Sequence, residues 1–357
     1  MRHERTTCSL GQLFILGLCA IPSCYFLFVT TISIRDLTNA NGSPVGEDFA
    51  QIWLGGRLAL EAKVHAIYTP ELFRHLAQAA FGTDRIPWIF SYPPTTLLMA
   101  APLGALPYAV ALGIWSVAQV AIFAAAVLFV TRRFLSPDLA VILALTSPSL
   151  ALTLPWGQFG AIIASLMAFS LLLLDRKPVL AGVLIGLIAV KPQFDLLIPI
   201  ALLASRRWET FWVAAATVVA LVLATLALFG TQAWTGYLNQ TLPAQVAINA
   251  DPTGYMPIAH SIVDRLVLMG ADVSVARYLQ LGIAGAACLA TLIAFGRPYP
   301  PAHRFFVAAA STMAALPTLP STIRPWSLWQ HWHCWRPAEA SAGHSRSFCF
   351  SFGRPQS

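Results

Sequence analysis

The chain has 357 residues, of which 57% are hydrophobic and only 10% are charged, against roughly a quarter charged in an average soluble domain. Long apolar runs recur along most of the sequence, which excludes a water-soluble globular protein and predicts an all-α polytopic membrane protein. The formal net charge of +7 does not indicate nucleic-acid binding, because the basic residues lie at the ends of apolar runs and form no long cluster.

The six cysteines show neither Cys-x-x-Cys spacing nor pairing within one loop, so they are interpreted as free thiols. The sequence predicts no metal site and no cofactor. The apolar run 11–34 follows a basic start and is too long for the core of a signal peptide, so it is predicted to be a retained first helix.

Nine apolar runs of spanning or near-spanning length predict about nine transmembrane helices. They cover residues 11–34, 108–130, 139–154, 159–174, 179–190, 194–204, 211–229, 276–295 and 305–316. Gly182 and Gly186 form a small-xxx-small pair that predicts close helix packing.

Orientation follows from the basic connections, which collect on the cytoplasmic side of membrane proteins. They contain Arg2 and Arg5, Arg132 and Arg133, Arg176 and Lys177, Arg206 and Arg207, and Arg297 and Arg304. All of them share one side if the run 95–106 is re-entrant, since its helical rise of about 18 Å is below the hydrocarbon thickness of about 30 Å. Segments 35–92, 155–158 and 230–272 and the break at Lys191 are then extracytoplasmic.

The external loop 35–92 contains two helical patterns that predict juxtamembrane amphipathic helices. The first begins near Glu47 and alternates an apolar set (Phe49, Ile52, Trp53, Leu60) with polar or small residues on other faces (Asp48, Gln51, Gly55, Glu61). The second has Thr69 as N-cap and Pro70 at the first helical position, and it ends at Gly82.

Asp48 is the main candidate for chemistry. At the start of a helix, beside Glu47, its carboxylate is either a structural cap or a general base able to deprotonate an acceptor hydroxyl. Tyr92 and Gln158 lie at external breaks, where they are interface and turn residues or site residues. Lys191 lies between apolar limbs, so it is expected to pair either with an anionic lipid phosphate or with Asp195 one turn later.

An ordered set of short motifs resembles glycosyltransferase family 87. The set comprises Asp48-Phe49, Gly55-Gly56-Arg57, Tyr92-Pro93-Pro94, Ala101-Pro102-Leu103, Gly157-Gln158, Ala181-Gly182, Gly186-Leu187 and Lys191-Pro192-Gln193, with coverage of about residues 11–316. The resemblance implies a GT-C-like helical bundle in residues 1–316 of a bacterial cytoplasmic membrane protein. It also implies inverting transfer of a hexose, typically mannose, from a polyprenyl-phosphate sugar to a lipid or glycan acceptor outside the membrane.

The resemblance further implies roles for individual residues. Asp48 would be the general base, Lys191 and Arg57 would hold the donor phosphate, and Gln158 and Tyr92 would line the site. The implied partners are the lipid-linked donor, the acceptor and the membrane, with no nucleic acid.

The tail 317–357 departs from this pattern, because it is rich in Trp and Ser and poor in branched aliphatic residues. It is interpreted as a disordered or frameshifted segment rather than as a metal site formed by His331, His333 and Cys334. Two alternatives to an active enzyme therefore stay open: a catalytically inactive, truncated family member, and a polytopic transporter or flippase.

Overall fold

A computed structural model describes residues 17, 20–21, 23–24, 37–38, 43–82, 89–132, 135–250, 266–267 and 269–315. Within these ranges the backbone is mostly helical and forms no β-strand, apart from an isolated bridge between Thr38 and Pro44. The predicted all-α class is confirmed. The predictions for the tail 317–357 and for most of the run 11–34 lie outside these residues.

Proline begins many of the helices, because its fixed φ suits the first turn and its missing N–H has no acceptor there in any case. The helices are Glu47–Leu60, Val64–Ile67, Pro70–Phe81, Leu97–Gly104, Tyr108–Thr131, Pro137–Leu145, Pro148–Thr153, Gly160–Leu173, Pro178–Ile188, Ile198–Ala204, Trp208–Gly236, Leu242–Ala250, Val273–Gly296 and Pro301–Ala315. Short 3₁₀ turns cover Pro94–Thr96 and Pro192–Phe194, and a π-helical turn covers Tyr237–Thr241.

Three helices in the described part of the chain are long and apolar enough to cross a bilayer: Tyr108–Thr131, the stretch Trp208–Ile248, which is kinked at Gly230, and Val273–Gly296. The predicted number of about nine is not confirmed. Four further apolar helical stretches have only 10–17 residues, and a helix of that length rises less than the hydrocarbon thickness of about 30 Å. The predicted run 139–154 divides at Ser147, since Pro148 begins a new helix.

The small-xxx-small pair packs as predicted. A Cβ on Gly182 would lie 2.8 Å from the carbonyl oxygen of Thr210, and one on Gly186 would lie 2.9 Å from that of Ala214. Glycine at both positions lets the Pro178–Ile188 helix approach the backbone of the long helix that begins at Trp208.

The Glu47–Leu60 helix, called here the first loop helix, is present but is not the interfacial amphipathic helix that its pattern predicts. Its middle is buried on nearly every side, including the glycine face, and Leu60 of the predicted apolar face is 56% exposed. The reason is close packing: a Cβ on Gly56 would overlap the carbonyl of Ala100, and a Cβ on Gly55 would overlap the ring of Phe90.

The predicted second loop helix forms at Pro70–Phe81 and ends at Gly82 in a left-handed C-cap, as expected. Thr69 occupies the N-cap position, but its hydroxyl donates to the carbonyl of His65 at 2.9 Å instead of capping the helix. The run 95–106 forms the Leu97–Gly104 helix, whose length of about 12 Å is too short to cross a bilayer. Its re-entrant course stays a prediction.

Candidate active site

The start of the first loop helix is held by a turn at residues 155–158, called here the glycine turn. The N–H of Gly46 donates to the carbonyl of Pro155 at 2.9 Å, and the N–H of Asp48 donates to that of Trp156 at 3.0 Å. The first N–H groups of a helix have no acceptor within the helix, so the glycine turn supplies the acceptors. Asp48 is thereby held against this turn.

The shape of the glycine turn depends on Gly157. Its φ of +67° lies in the left-handed region, and a Cβ there would come within 2.5 Å of the Cβ of Phe49. The indole N–H of Trp115 donates to the carbonyl of Gly157 at 2.9 Å, and the hydroxyl of Tyr108 donates to that of Val45 at 2.5 Å. The spanning helix that carries both aromatic residues therefore anchors the turn and the segment before Asp48.

A break at residues 189–197, called here the lysine break, brings Lys191 to the same place. The break forms because Pro192 begins a 3₁₀ turn and interrupts the helix that ends at Ile188. The hydroxyl of Thr96 donates to the carbonyl of Val190 at 3.3 Å. This hydrogen bond ties the lysine break to the segment that contains Tyr92.

Asp48 and Lys191 interact electrostatically, and the amide of Gln158 forms a hydrogen bond with the carboxylate of Asp48. Burial raises the pKa of the Asp48 carboxyl above its usual range, while the charge of Lys191 and the hydrogen bond from Gln158 act to lower it. Burial lowers the pKa of the Lys191 ammonium, and Asp48 opposes that shift. Each group thus favours the charged form of the other in a poorly hydrated place.

Three aromatic rings surround the ammonium group of Lys191. Its Nζ lies 5.8 Å from the ring centroid of Tyr92, 5.9 Å from that of Phe159 and 5.8 Å from that of Phe194. These distances are within the range of cation–π attraction, which stabilises a cation where water is scarce. Tyr92 is buried and the Lys191 residue is half-buried, with its ammonium group among the rings in a poorly hydrated place.

Arg57 does not join this group. Its Nε lies 3.3 Å from Oε1 of Glu61, and its guanidinium carbon lies 5.5 Å from the ring of Trp53. It is nine positions after Asp48 in the same helix, which corresponds to a rise of about 13.5 Å. The structure therefore brings Asp48, Tyr92, Gln158 and Lys191 together and leaves Arg57 in an exposed ion pair.

Asp195 is not the ion-pair partner of Lys191. Its carboxylate atom Oδ1 is buried and has no hydrogen-bond partner in the part of the chain that the structure describes. Lys191 interacts electrostatically with Asp48 instead. The sequence suggested Asp195 because a helix places residues four apart on one face, but the backbone is not α-helical between Lys191 and Asp195.

Sequence reasoning missed Phe159, Phe194, Trp115 and Tyr108. Phe159 directly follows Gln158, and Phe194 lies three positions after Lys191, so each is next to a candidate that the sequence did identify. An isolated aromatic residue in an apolar run carries no sign of its partner, and only packing reveals that these rings face a lysine or a turn.

The arrangement suits acid–base chemistry and anion binding. A carboxylate with a raised pKa accepts a proton more readily than an ordinary one, and a lysine ammonium is a common partner of phosphate. No group of three or more His, Cys, Asp or Glu residues is close enough to hold a metal ion within the described ranges.

The model of glycosyltransferase family 87 matches residues 90–332, about two thirds of the chain. The match contains Tyr92, Gln158 and Lys191, begins after Asp48 and Arg57, and runs beyond residue 316 into the tail. No curated protein and no solved structure matches the chain. Because the family match spans well over half of the sequence, the chain belongs to glycosyltransferase family 87.

Proposed function

We propose that this glycosyltransferase moves a hexose, with mannose as the first candidate, from a polyprenyl-phosphate sugar to a hydroxyl of a lipid or glycan acceptor. The reaction takes place on the extracytoplasmic side of a bacterial cytoplasmic membrane. One observation carries the proposal: the buried carboxylate of Asp48 interacts electrostatically with the ammonium group of Lys191 in an otherwise apolar, ring-lined place.

Asp48 is the general base in the proposed reaction. Its carboxylate accepts the proton of the acceptor hydroxyl while the hydroxyl oxygen forms a bond to the anomeric carbon of the donor. The bond between that carbon and the phosphate oxygen breaks, and polyprenyl phosphate leaves with the electron pair. Attack and departure on opposite faces of the sugar carbon invert its configuration.

Lys191 holds the donor phosphate and stabilises the charge that develops on it as the leaving group departs. Because Lys191 also interacts with Asp48, the phosphate and the base share one cation. Negative charge that binds beside Lys191 offsets its effect on Asp48 and raises the pKa of the base further. Donor binding thus makes Asp48 more basic.

The proposal is tested with Asp48→Asn, Glu47→Gln and the wild-type chain, each purified and reconstituted with a radiolabelled polyprenyl-phosphate hexose. Asp48→Asn keeps the size of the side chain and removes the base, so we expect transfer to fall by about a hundredfold or more with little change in donor binding. Glu47 interacts with the hydroxyl of Tyr108 rather than with Lys191, so Glu47→Gln is a matched control and should keep most of the activity.

Substantial turnover by Asp48→Asn would remove Asp48 from the mechanism. A wild-type chain that inserts and binds the donor but transfers no hexose to lipid or glycan acceptors would favour the inactive alternative. Movement of labelled donor across the bilayer without transfer would instead favour the flippase.

A further inference from the structure

A second charged site lies far from Asp48. It is a solvent-open cavity of about 480 Å³ lined by residues 204–207, residues 295–298 and Arg304, and it is called here the arginine pocket. The long helix begins at Trp208 beside the pocket and rises about 32 Å to Phe229. After a non-helical kink at Gly230, Gly236 packs on Tyr68, which lies in the same segment as the first loop helix. The volume is within the range of about 300–1,000 Å³ that is usual for ligand sites.

Four arginines from separate connections meet in this pocket. They are Arg206 and Arg207 before the long helix, Arg297 after the Val273–Gly296 helix, and Arg304 in the last described helix. Among the described residues, Asp175 is the carboxylate that pairs with them: it forms an ion pair with Arg207 and lies 3.9 Å from Arg304. Four guanidinium charges against one carboxylate leave a net charge of +3.

The arginines are not neutralised by the described part of the chain. Arg206 and Arg297 have no ion-pair partner there, and both are exposed. The side chain of Arg304 is only 15% exposed; its guanidinium lies 3.9 Å from Asp175 and donates to the carbonyl of Arg297 at 3.3 Å. Two exposed guanidinium groups without a carboxylate partner at one cavity favour an anion with several acceptor oxygens.

The backbone of Arg206 supports a role for its charge. Its φ of +53° is left-handed, at the position after a helix where glycine is usual, and its N–H donates to the carbonyl of Leu203 at 3.1 Å. An arginine at a position that suits glycine keeps a guanidinium at the mouth of the pocket in spite of backbone strain.

The position of the pocket at the ends of candidate spanning helices predicts that it lies where the bilayer meets water. It occurs where two of the candidate spanning helices begin or end, at Trp208 and Gly296. Trp208 is 52% exposed, and Trp212, one turn further, is 65% exposed. Exposed tryptophans at the end of a spanning helix are typical of the head-group region, where the phosphates of lipids are found.

We propose that the arginine pocket binds a phosphate group, supplied by the head group of an anionic phospholipid. Arg206 and Arg297 contact its oxygens, and Arg207 and Arg304 add positive charge around it. Guanidinium groups match the oxygen geometry of phosphate, and basic pockets between transmembrane helices are known to hold anionic head groups. This site is independent of the proposed transfer reaction and does not require the chain to be active.

The test measures binding to the full-length protein in neutral detergent, without any activity assay. The probes are short-chain phosphatidylglycerol, short-chain phosphatidylcholine and inorganic phosphate, each titrated while thermal stability and native mass are recorded. We expect phosphatidylglycerol to bind and stabilise the wild type, and phosphatidylcholine to do neither. Arg297→Gln should weaken the phosphatidylglycerol Kd about tenfold, as expected for the loss of one charge-assisted hydrogen bond.

The variant Arg206→Gly distinguishes a loss of lipid binding from a loss of folding. Glycine suits the left-handed backbone, so this variant should be at least as stable as the wild type without lipid and yet bind phosphatidylglycerol more weakly. Arg132→Gln is the matched control, because Arg132 is an exposed arginine at the end of another spanning helix and is stacked over Phe129, outside the pocket.

Each outcome decides between the possibilities. Pocket-dependent binding of phosphatidylglycerol supports a lipid source, whereas pocket-dependent binding of inorganic phosphate alone supports a free phosphate source. Equal binding of phosphatidylcholine, or an Arg132→Gln effect as large as that of Arg297→Gln, would overturn the proposal, because the arginines would then act only as bulk surface charge.

Discussion

Two opposite effects act on the pKa of Asp48. The charge of Lys191 lowers this pKa and so keeps the base ionised, while burial raises it and strengthens the base. In the proposed reaction, the ammonium group of Lys191 also holds the donor phosphate. The same side chain therefore contributes to donor binding and to the pH dependence of the reaction, and these two effects are separable by experiment.

We expect Lys191→Met to shift the acidic limb of the pH–rate profile to higher pH. Asp48 must be deprotonated to act, and removal of the neighbouring positive charge raises its pKa further, so activity is lost at a higher pH as the solution is acidified. Donor affinity should fall as well, by about 1.5–3 kcal/mol, the usual contribution of a hydrogen bond to a charged group.

The measurements are kcat/KM for the donor as a function of pH in Lys191→Met and in Lys63→Met. Lys63 pairs with Glu61 at 2.8 Å on the exposed side of the first loop helix, so its replacement should change neither quantity. An unchanged acidic limb in Lys191→Met would show that Lys191 does not act on the base.

At the scale of elements, glycine decides how the first loop helix packs. Gly56 faces the backbone of Ala100, and Gly104 in turn faces the backbone of Arg57, so the two helices cross with no side chain between them. Because this crossing buries the helix that carries Asp48, its stability and the position of the base are linked.

We expect Gly56→Ala to destabilise the protein by more than about 2 kcal/mol, since the added methyl group overlaps a backbone carbonyl that has no room to move. Gly113→Ala is the control, because a Cβ at Gly113 meets nothing within 4 Å. Thermal unfolding in detergent compares the two variants. Equal melting temperatures would contradict the close helix crossing.

The glycine turn offers a second prediction of this kind. Gly157→Ala should lower transfer activity, because the new Cβ pushes on Phe49 and displaces the start of the helix that carries Asp48. Gly82→Ala introduces the same backbone strain at a φ of +68° but has open space around it. A loss of kcat in Gly157→Ala alone, at similar protein stability, identifies the positioning effect; equal losses in both variants would assign it to backbone strain.

At the scale of the whole molecule, several of the basic connections lie close together in space. Asp175, next to Arg176 and Lys177, contacts Arg207 and Arg304, so three of the connections that the sequence assigns to the cytoplasmic side meet at one end. The site around Asp48 lies elsewhere, in the segment 35–92 that the sequence predicts to be external. The fold is therefore compatible with the proposed transfer outside the membrane and with basic connections on the cytoplasmic side.

We expect single cysteines to report this orientation, after the native cysteines are replaced by serine. Ala79→Cys, on the exposed face of the second loop helix, should react with an impermeant maleimide in intact cells. Arg176→Cys should react only after the inner leaflet becomes accessible. The opposite labelling pattern would place Asp48 on the cytoplasmic side and contradict the proposed sidedness.

Local sequence pattern was sufficient to predict many features of the molecule. The apolar runs predicted helices, prolines marked where several of them begin, and Gly182 and Gly186 marked a close helix contact, because each of these depends on neighbours a few residues away. Lys191 and Asp48 were identified for the same reason: a charge in an apolar sequence is visible without any partner. The family resemblance rested on these same short motifs.

Packing alone decided which of these residues meet. Asp48 and Lys191 are 143 positions apart, and their electrostatic interaction depends on a turn at Gly157 and a break at Pro192 whose relative placement no local pattern encodes. The same packing excluded Arg57, separated Asp195 from Lys191, and added Phe159 and Phe194. It also buried the first loop helix, whose sequence pattern is typical of an interfacial helix. In the sequence its glycines look like weakly polar positions, but in the structure they form close contacts because another backbone packs against them.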